Sequence, residues 1–600
     1  MPRLAALPVL LALALIPVGA CGQGGASSTG AASSAEPLTP VPAPAGLVAD
    51  LFVPAPAATW TKLRAGVGGP AVFMPQSFGG AAATLLGLPI TMAAEIDEAV
   101  PLVGASLRQG KGPLLLTVGV HVKSGERFVN QLTRGEGARF NAAVDPMSRV
   151  TVLTDKVSPE SARFALGVVG NYLLVGQRAA DLHALGPYVA RTLPTKAMPK
   201  EEVAIEIAEA ALGGPILEAA RDLRTHGEGA TAALIPVGTM LDGLIGLLGD
   251  GKQARVTMSF DERVMHARAT ITPRAGGGAG SKLIAELPVG DARPLLDLPE
   301  STTLGVLWRE SATARGESAP KQAEALAKLL GQDVSAEDRG AISAALKAEA
   351  EARGDWQAVG IAFNGTGPTA VVRAPVSDAD RMKKALKQLV DLAALPTFKA
   401  SLAKLGLSLT VDKAVVENLA GDVTRVRLAR VERERTKDEK GKKGEDKQKG
   451  EDKQKGDAKA KKAPEPPPPD LPKAIDLLYL VNGEGLFASA GFDPRDSLRT
   501  LAKTPAGSNL GSIAPMSALL SGIEGASFVL VADALRINAA TSGLNAPPTP
   551  APVLIAAGRT AAPAELWGRA DLPFVVVTQL VTEYARRRAA PPAPPASLVQ

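Results

Sequence analysis

Thr117–Leu132 reads TVGVHVKSGERFVNQL. Its first half is rich in β-branched and small residues. Ser124 follows, and then apolar Phe128, Val129 and Leu132 recur at helical spacing among charged residues. That order predicts a strand, a Ser-led turn and an amphipathic helix. It returns at Val372–Leu389, VRAPVSDADRMKKALKQL. One strand–turn–helix is unremarkable, but its recurrence far along the chain raises the question of a duplication.

Other stretches repeat in the same order. Ala57-Ala-Thr-Trp-Thr-Lys-Leu-Arg resembles Ser301-Thr-Thr-Leu-Gly-Val-Leu-Trp, and Leu85-Leu-Gly87 resembles Leu329-Leu-Gly331. Gly104-Ala-Ser-Leu with Gly112-Pro113 resembles Gly360-Ile-Ala-Phe with Gly367-Pro368. Gly170-Asn-Tyr-Leu-Leu-Val-Gly176 resembles Asn482–Gly491, each leading into a helix, at 178–193 and 493–503. Val203-Ala-Ile-Glu-Ile-Ala-Glu resembles Ser527-Phe-Val-Leu-Val-Ala-Asp. Short β-rich runs, and the hairpin signal Val256–Phe260, Asp261-Glu262, Arg263–Thr270, alternate with single helices. The expected fold class is α+β: two similar domains by internal duplication, each an antiparallel sheet with helices on one face. The copies are placed at 46–287 and 293–585.

The separation between matched positions widens after Gly104/Gly360, and the second copy carries a charged tract where it does so. Residues 433–470 hold GEDKQK twice, at 444–449 and 450–455, and end in a proline-rich run. The tract reads as a disordered insertion into a hairpin between strands at 424–431 and 475–481. From Arg433 to Lys462 it has 13 Lys/Arg and 8 Asp/Glu. That surplus, with Arg3, accounts for the chain's +5 and leaves the remainder near −1. Overall charge therefore gives no argument for a nucleic-acid partner. The tract could reach an envelope protein, anionic lipid or polysaccharide.

Cys21 is the single cysteine. Before it stand Met1-Pro-Arg3, an apolar run Leu4–Val18, and Gly19-Ala20. This is the pattern of a signal peptide. Val18-Gly19-Ala20-Cys21 resembles the lipobox of bacterial lipoproteins, and the chain is similar to Ala-rich envelope lipoproteins. The resemblance implies a signal peptide over 1–20 and acyl chains on Cys21 as the membrane partner. It further implies an outer-membrane address, because Gly22-Gln23 lacks the aspartate that marks inner-membrane retention. Residues 21–45, mostly Gly, Ser, Ala and Pro, read as a tether, and 586–600 as a Pro-rich tail.

Motifs for chemistry are sparse. One cysteine excludes an intramolecular disulfide and any multi-thiolate metal site. His121, His183, His226 and His266 stand in no metal-ligand spacing. Ser401-Leu-Ala-Lys404 spells SxxK without its companion motifs. Gly66-Val-Gly68-Gly69 lacks a dinucleotide setting, and Ser148, Ser161 and Ser301 read as turn or cap serines. Glu95/Asp97/Glu98 and Asp378/Asp380 read as helix-start acids. Ala230–Gly251, apolar on nearly all sides, reads as a buried helix packed through its glycines. No cofactor, metal or catalytic residue is expected. The expectation is a non-enzymatic, lipid-anchored protein binding or scaffolding a partner. The alternatives are a carrier of a hydrophobic ligand and, more remotely, an envelope hydrolase.

Overall fold

The computed structural model describes residues 38–579 and 582, apart from 135–137, 157–163, 227–236, 331–333, 365–366, 432–473, 493, 504–507, 543–548, 561 and 563. Cys21, Ser161, residues 21–37 of the expected tether, the charged tract and the C-terminal tail lie outside the described residues. Residues 38–45 are described and correct the tether reading at its end: Val41 N–H donates to Thr192 Oγ1, the Thr192 hydroxyl donates back to Val41 O, and Val41 packs against the core.

The first half of the chain supplies β1 (Leu47–Val53), β2 (Leu102–Leu107), β3 (Leu115–His121), β4 (Phe140–Val144) and β5 (Thr151–Asp155). It continues with β6 (Ala165–Val169), β7 (Tyr172–Gly176), β8 (Val203–Ile207), β9 (Gly251–Phe260) and β10 (Val264–Pro273). The second half supplies β11 (Leu304–Arg309), β12 (Trp356–Asn364), β13 (Gly367–Ala374), β14 (Leu407–Ala414) and β15 (Val423–Arg430). It ends with β16 (Ala474–Asn482), β17 (Gly485–Gly491), β18 (Ala526–Asp533), β19 (Pro552–Thr560) and β20 (Glu565–Pro573).

Two compact units divide these strands. In the first, the antiparallel order is β4–β5–β6–β7–β3–β2–β1–β8–β9–β10–β20–β19–β18–β11. In the second it is β14–β15–β16–β17–β13–β12. The units do not follow the sequence halves, because β11 and β18–β20 pack with the first unit.

The duplication is visible strand by strand. β4–β5–β6–β7–β3–β2 and β14–β15–β16–β17–β13–β12 are the same order ten labels apart, as are β1–β8–β9–β10 and β11–β18–β19–β20. Fine details repeat too. Ser124 caps the Gly125–Thr133 helix and Asp378 caps the Ala379–Asp391 helix, each accepting from the backbone N–H three residues on. Asp97 N–H donates to His121 O and Lys123 N–H to Glu95 O; Gly354 N–H donates to Pro375 O and Ser377 N–H to Ala352 O. Phe128 and Met382, four residues past the caps, are both fully buried.

The α+β class and the repeated antiparallel sheet stand as expected, but the helical cover is fuller than one layer. Leu173 packs in the core with Phe128 and Leu132, whereas Leu174 packs with Leu182 and Leu185 of the Ala179–Arg191 helix. Successive residues of β7 point to opposite faces, so both faces are covered there. In the second repeat, Leu486 packs with Met382, while Leu498 and Leu501 of the Arg495–Lys503 helix are buried next to β17. Tyr172-Leu173-Leu174 and Leu486-Phe487-Ala488 carry the signature of such strands: continuous apolar residues rather than alternation.

Two expected correspondences need correction. Ala57–Arg64 lies in the Pro56–Val67 helix, but Ser301–Trp308 runs into β11. The counterpart of β11 is β1; a short Ala/Leu/Trp string does not distinguish helix from strand. Val203 matches one residue later than Ser527. The helical cluster over Ala254 and Ile271 recurs over Val553 and Leu572, which aligns Val203 with Phe528. A one-residue slip would have turned every side chain to the wrong face.

Of Ala230–Gly251, residues 230–236 lie outside the described residues, and Val237–Gly249 is a helix. A Cβ on Gly243 would come within 3.0 Å of Leu283, so the glycine lets this helix approach the Ala279–Glu286 helix closely. Among the described residues no helix is long and apolar enough to cross a membrane.

Candidate functional site

Chain alternation in the first unit sorts the seam β8–β9–β10–β20–β19–β18 into two unlike faces. On one face, cross-strand pairing builds the row Leu51, Ile205, Val256, Ala269, Gly568, Ala557, Phe528, Trp308. Beside it runs Val203, Met258, Ala267, Ala570, Ile555, Leu530, Val306. Neither row contains a charged or hydrogen-bonding side chain apart from the Trp308 indole. Val203 and Val306 are buried, and Leu51 and Met258 are partly buried against the core around Trp60 and Leu63, so that end of the rows is covered. The other members are partly buried except Ala269 and Ile555, which are exposed, Ile555 at 46%.

The middle of both rows is small: Ala267, Ala269, Gly568 and Ala570. Larger side chains flank it, Ile205 and Val256 on one side and Ile555 and Leu530 on the other. A Cβ on Gly568 would meet nothing nearer than the Ala556 carbonyl oxygen at 3.9 Å, so the space above it is open. The result is an apolar trough with a small-residue floor. The repeat exchanges the two rows: Ile205, Val256 and Ala269 correspond to Leu530, Ile555 and Ala570.

The opposite face is charged. Arg268 pairs with Arg569 across β10 and β20, and both line an open recess of about 240 Å³ with Trp567, Ile523 and Glu524. Arg569 donates to both oxygens of Asp571, from Nε to Oδ1 at 3.1 Å and from Nη2 to Oδ2 at 2.7 Å. His266 lies between two carboxylates, with Nδ1 2.8 Å from Asp571 and Nε2 3.1 Å from Asp261. Burial alone would lower the His266 pKa, but hydrogen bonds and charge from Asp571 and Asp261 prevail and raise it.

Asp145 and Ser148, three residues apart in one turn, meet His183 from 35 residues further on, and the three line a recess of about 420 Å³. Their geometry is not that of a nucleophile and base. A triad needs serine on one imidazole nitrogen and carboxylate on the other. Here Ser148 Oγ (3.1 Å) and Asp145 (3.6 Å) both approach His183 Nδ1. Ser148 Oγ donates to Asp145, which also accepts from the Ser148 N–H. These hydrogen bonds hold the Asp145 pKa low. The cluster shapes the β4–β5 turn, where Arg149 has φ 55°.

The remaining residues singled out from sequence disperse. Glu95 pairs with Arg127, Asp97 with His121, and Glu98 accepts from Gly79 N–H. Burial lowers the His121 pKa against the opposing effect of Asp97, and burial pushes Tyr172 up to about 12. Asp378 is a helix cap, and Asp380 pairs with Lys383. Ser401 and Lys404 lie on the Pro396–Lys404 helix, and Gly66 packs under Phe574. Among the described residues no three His, Cys, Asp or Glu side chains are grouped to hold a metal ion. Cys21 and the 433–470 tract lie outside the described residues.

Sequence reading missed the trough and the arginine pair. Their members come from strands some 300 residues apart, so no local pattern joins them. The available signal was the alternation in Arg263–Thr270 and Leu566–Leu572 of small apolar with polar residues.

No family model and no curated protein sequence matches the chain. Two solved structures, crystal forms IV and III of TP0453, are similar at 10% identity with TM-scores of 0.20 and 0.21. The matches cover 38% and 43% of this chain and 77% and 89% of those chains. At that score the likeness carries no argument.

Proposed function

We propose that the chain is a non-enzymatic, lipid-anchored envelope protein that binds an apolar partner along the trough on β8–β9–β10–β20–β19–β18. The observation that carries this reading is the pair of uncharged rows meeting at Ala267, Ala269, Gly568 and Ala570, where Ala269 and the neighbouring Ile555 are exposed and the space above Gly568 is open. Extended exposed apolar surface is costly to leave uncovered and marks interaction sites. The anchor reading rests on Val18–Cys21, with acyl chains on Cys21 holding the protein at the outer membrane. The domain plan is that of a tandem duplication at 46–287 and 293–585, with its insertion at 433–470.

A second reading, a carrier of a hydrophobic ligand, is favoured by the small-residue floor, which suits an acyl chain better than a bulky side-chain interface. Native mass spectrometry of the protein extracted from its own envelope separates the two. A bound lipid supports the carrier; a bound polypeptide supports the scaffold; a bare chain at full occupancy of the envelope counts against both. Labelling with radioactive palmitate tests the anchor separately, and label on the Cys21→Ser variant would defeat it.

A further inference from the structure

The second compact unit exposes an apolar surface that the first repeat lacks. β14, β15 and β16 pair in two cross-strand rows: Val411–Val426–Leu477 and Leu409–Leu428–Ile475. Val411, Ile475 and Leu477 are 45%, 42% and 37% exposed, too much for core residues. Arg430 and Lys413 continue the same face at its two ends, by alternation along β15 and β14. The reverse face carries its own opposite charges. Arg425 donates to both carboxylate oxygens of Asp412 at 2.8 and 2.6 Å, and Arg427 lies 3.7 Å from Asp476.

The first repeat shows that this exposure is a specific elaboration. Its β4 and β5 are five residues each, where β14 and β15 are eight. Phe140 and Leu153 on the short pair are buried with Phe128, Leu132 and Leu88. The longer hairpin of the second repeat carries its added apolar residues beyond any such cover.

We infer that the Val411–Leu477 and Leu409–Ile475 rows are a docking surface for an anionic lipid bilayer. Two further features favour a bilayer over a protein. The six side chains are all Val, Leu or Ile, which suit acyl chains; the aromatic anchors typical of protein hot spots are absent from both rows. The chain between Val431 and Ala474 leaves and returns at the Leu428–Ile475 end of the patch, because Ala429 pairs with Ala474. That sequence, 432–473, holds 14 Lys/Arg against 11 Asp/Glu, a surplus of +3. An apolar patch with Arg430 and Lys413 on its face, in a chain whose connected sequence is net positive, is the combination that anionic membrane surfaces attract. This inference does not depend on the trough, which lies on the other unit.

The test uses the full-length exported chain with Cys21→Ser, so that no acyl group contributes. It is sedimented with vesicles of phosphatidylcholine alone or with about one third phosphatidylglycerol. The expected result is binding to the anionic vesicles and none to phosphatidylcholine. Ile475→Asp with Leu477→Asp should lower the partition coefficient by at least about tenfold, since apolar insertion is lost. Both residues are exposed, so the thermal midpoint should stay unchanged and report an intact fold. A Val411→Trp variant should show a blue-shifted emission with anionic vesicles only. Parent chain that ignores anionic vesicles, or a double variant that binds as the parent does, overturns the proposal. Equal binding to phosphatidylcholine overturns its electrostatic part. None of these outcomes bears on palmitate labelling at Cys21, so the anchor reading stands or falls on its own.

Discussion

Arg268 on β10 and Arg569 on β20 sit directly opposite one another, and each is the other's counterpart in the duplication. The local symmetry of the β10–β20 pairing thus brings two like charges together. Opposed like charges weaken a strand pair. Partners relieve the strain unequally: Arg569 grips Asp571 with two nitrogens, whereas Arg268 approaches Glu565 at 3.8 Å. Arg268→Leu should therefore be neutral or slightly stabilising. Arg569→Leu should cost about 2 kcal/mol, because Asp571 is 1% exposed and keeps only His266. Urea denaturation of both variants checks the asymmetry, and equal effects would contradict it.

The His266 clamp predicts a pH dependence with a definite sign. Its folded pKa lies above the reference 6.5. Its stabilisation is then complete below the unfolded pKa and fades as pH rises through the higher folded value. His121 acts oppositely: its folded pKa is lowered, so its contribution is full above 6.5 and is lost on acidification. His266→Gln should selectively remove stability on the acid side. The measurement is the difference in thermal midpoint from parent between about pH 5 and about pH 8.5, which should shrink as pH rises. A difference independent of pH would exclude the clamp.

Local patterns were legible wherever one face decides them. Thr117–Leu132 and Val372–Leu389 became a strand, a capped turn and an amphipathic helix because Ser124 and Asp378 satisfy the helix N–H groups locally. Register was legible only to within a residue, as at Val203, because alternation in Ala-rich strands hardly distinguishes the faces. The second helical layer was missed because Leu173 and Leu174 belong to different cores that only tertiary packing separates. His183 and Ser148 meet through a turn and a helix, and the trough requires β10 and β20 to pair.

Equivalent caps should have equivalent value. Ser124→Ala and Asp378→Ala each remove an acceptor from a helix start, at a cost of about 1 kcal/mol. The adjoining core positions predict a larger pair of effects: Phe128→Ala and Met382→Ala should cost about 3 kcal/mol or more, since both side chains are fully buried. Chemical denaturation monitored by circular dichroism measures all four. A cap that matters in one repeat alone would break the proposed equivalence.

Deleting Thr436–Pro469 and joining the ends with a short Gly/Ser turn should change stability by under about 1 kcal/mol. β15 and β16 remain paired from Ala429–Ala474 onward, and loop-closure cost grows only slowly with length. The same deletion should lower the isoelectric point from about 9.1, because the removed sequence has more Lys and Arg than Asp and Glu. Isoelectric focusing and a thermal melt on one sample give both readouts. A large fall in melting temperature would show that the tract contributes to packing.

The trough makes the sharpest demand on the proposed function. Ala269 is exposed and Gly568 has open space above it, so larger side chains fit there without entering a core. Gly568 also lacks the positive φ that would make a side chain strained. Gly568→Leu and Ala269→Arg should therefore change stability by no more than about 0.5 kcal/mol. Gly568→Leu fills the floor while keeping it apolar; Ala269→Arg places a charge among Ile205, Val256 and Ala557. If an apolar partner lies along the rows, both variants should lose it, the arginine variant more completely because burying an unpaired charge is costly. Ile475→Asp with Leu477→Asp, on the other unit, should leave that binding untouched. Co-purification from the native envelope, followed by native mass spectrometry, compares the three. Retention of the same partner by both trough variants would mean that these rows are simply exposed sheet, and binding would have to be sought elsewhere.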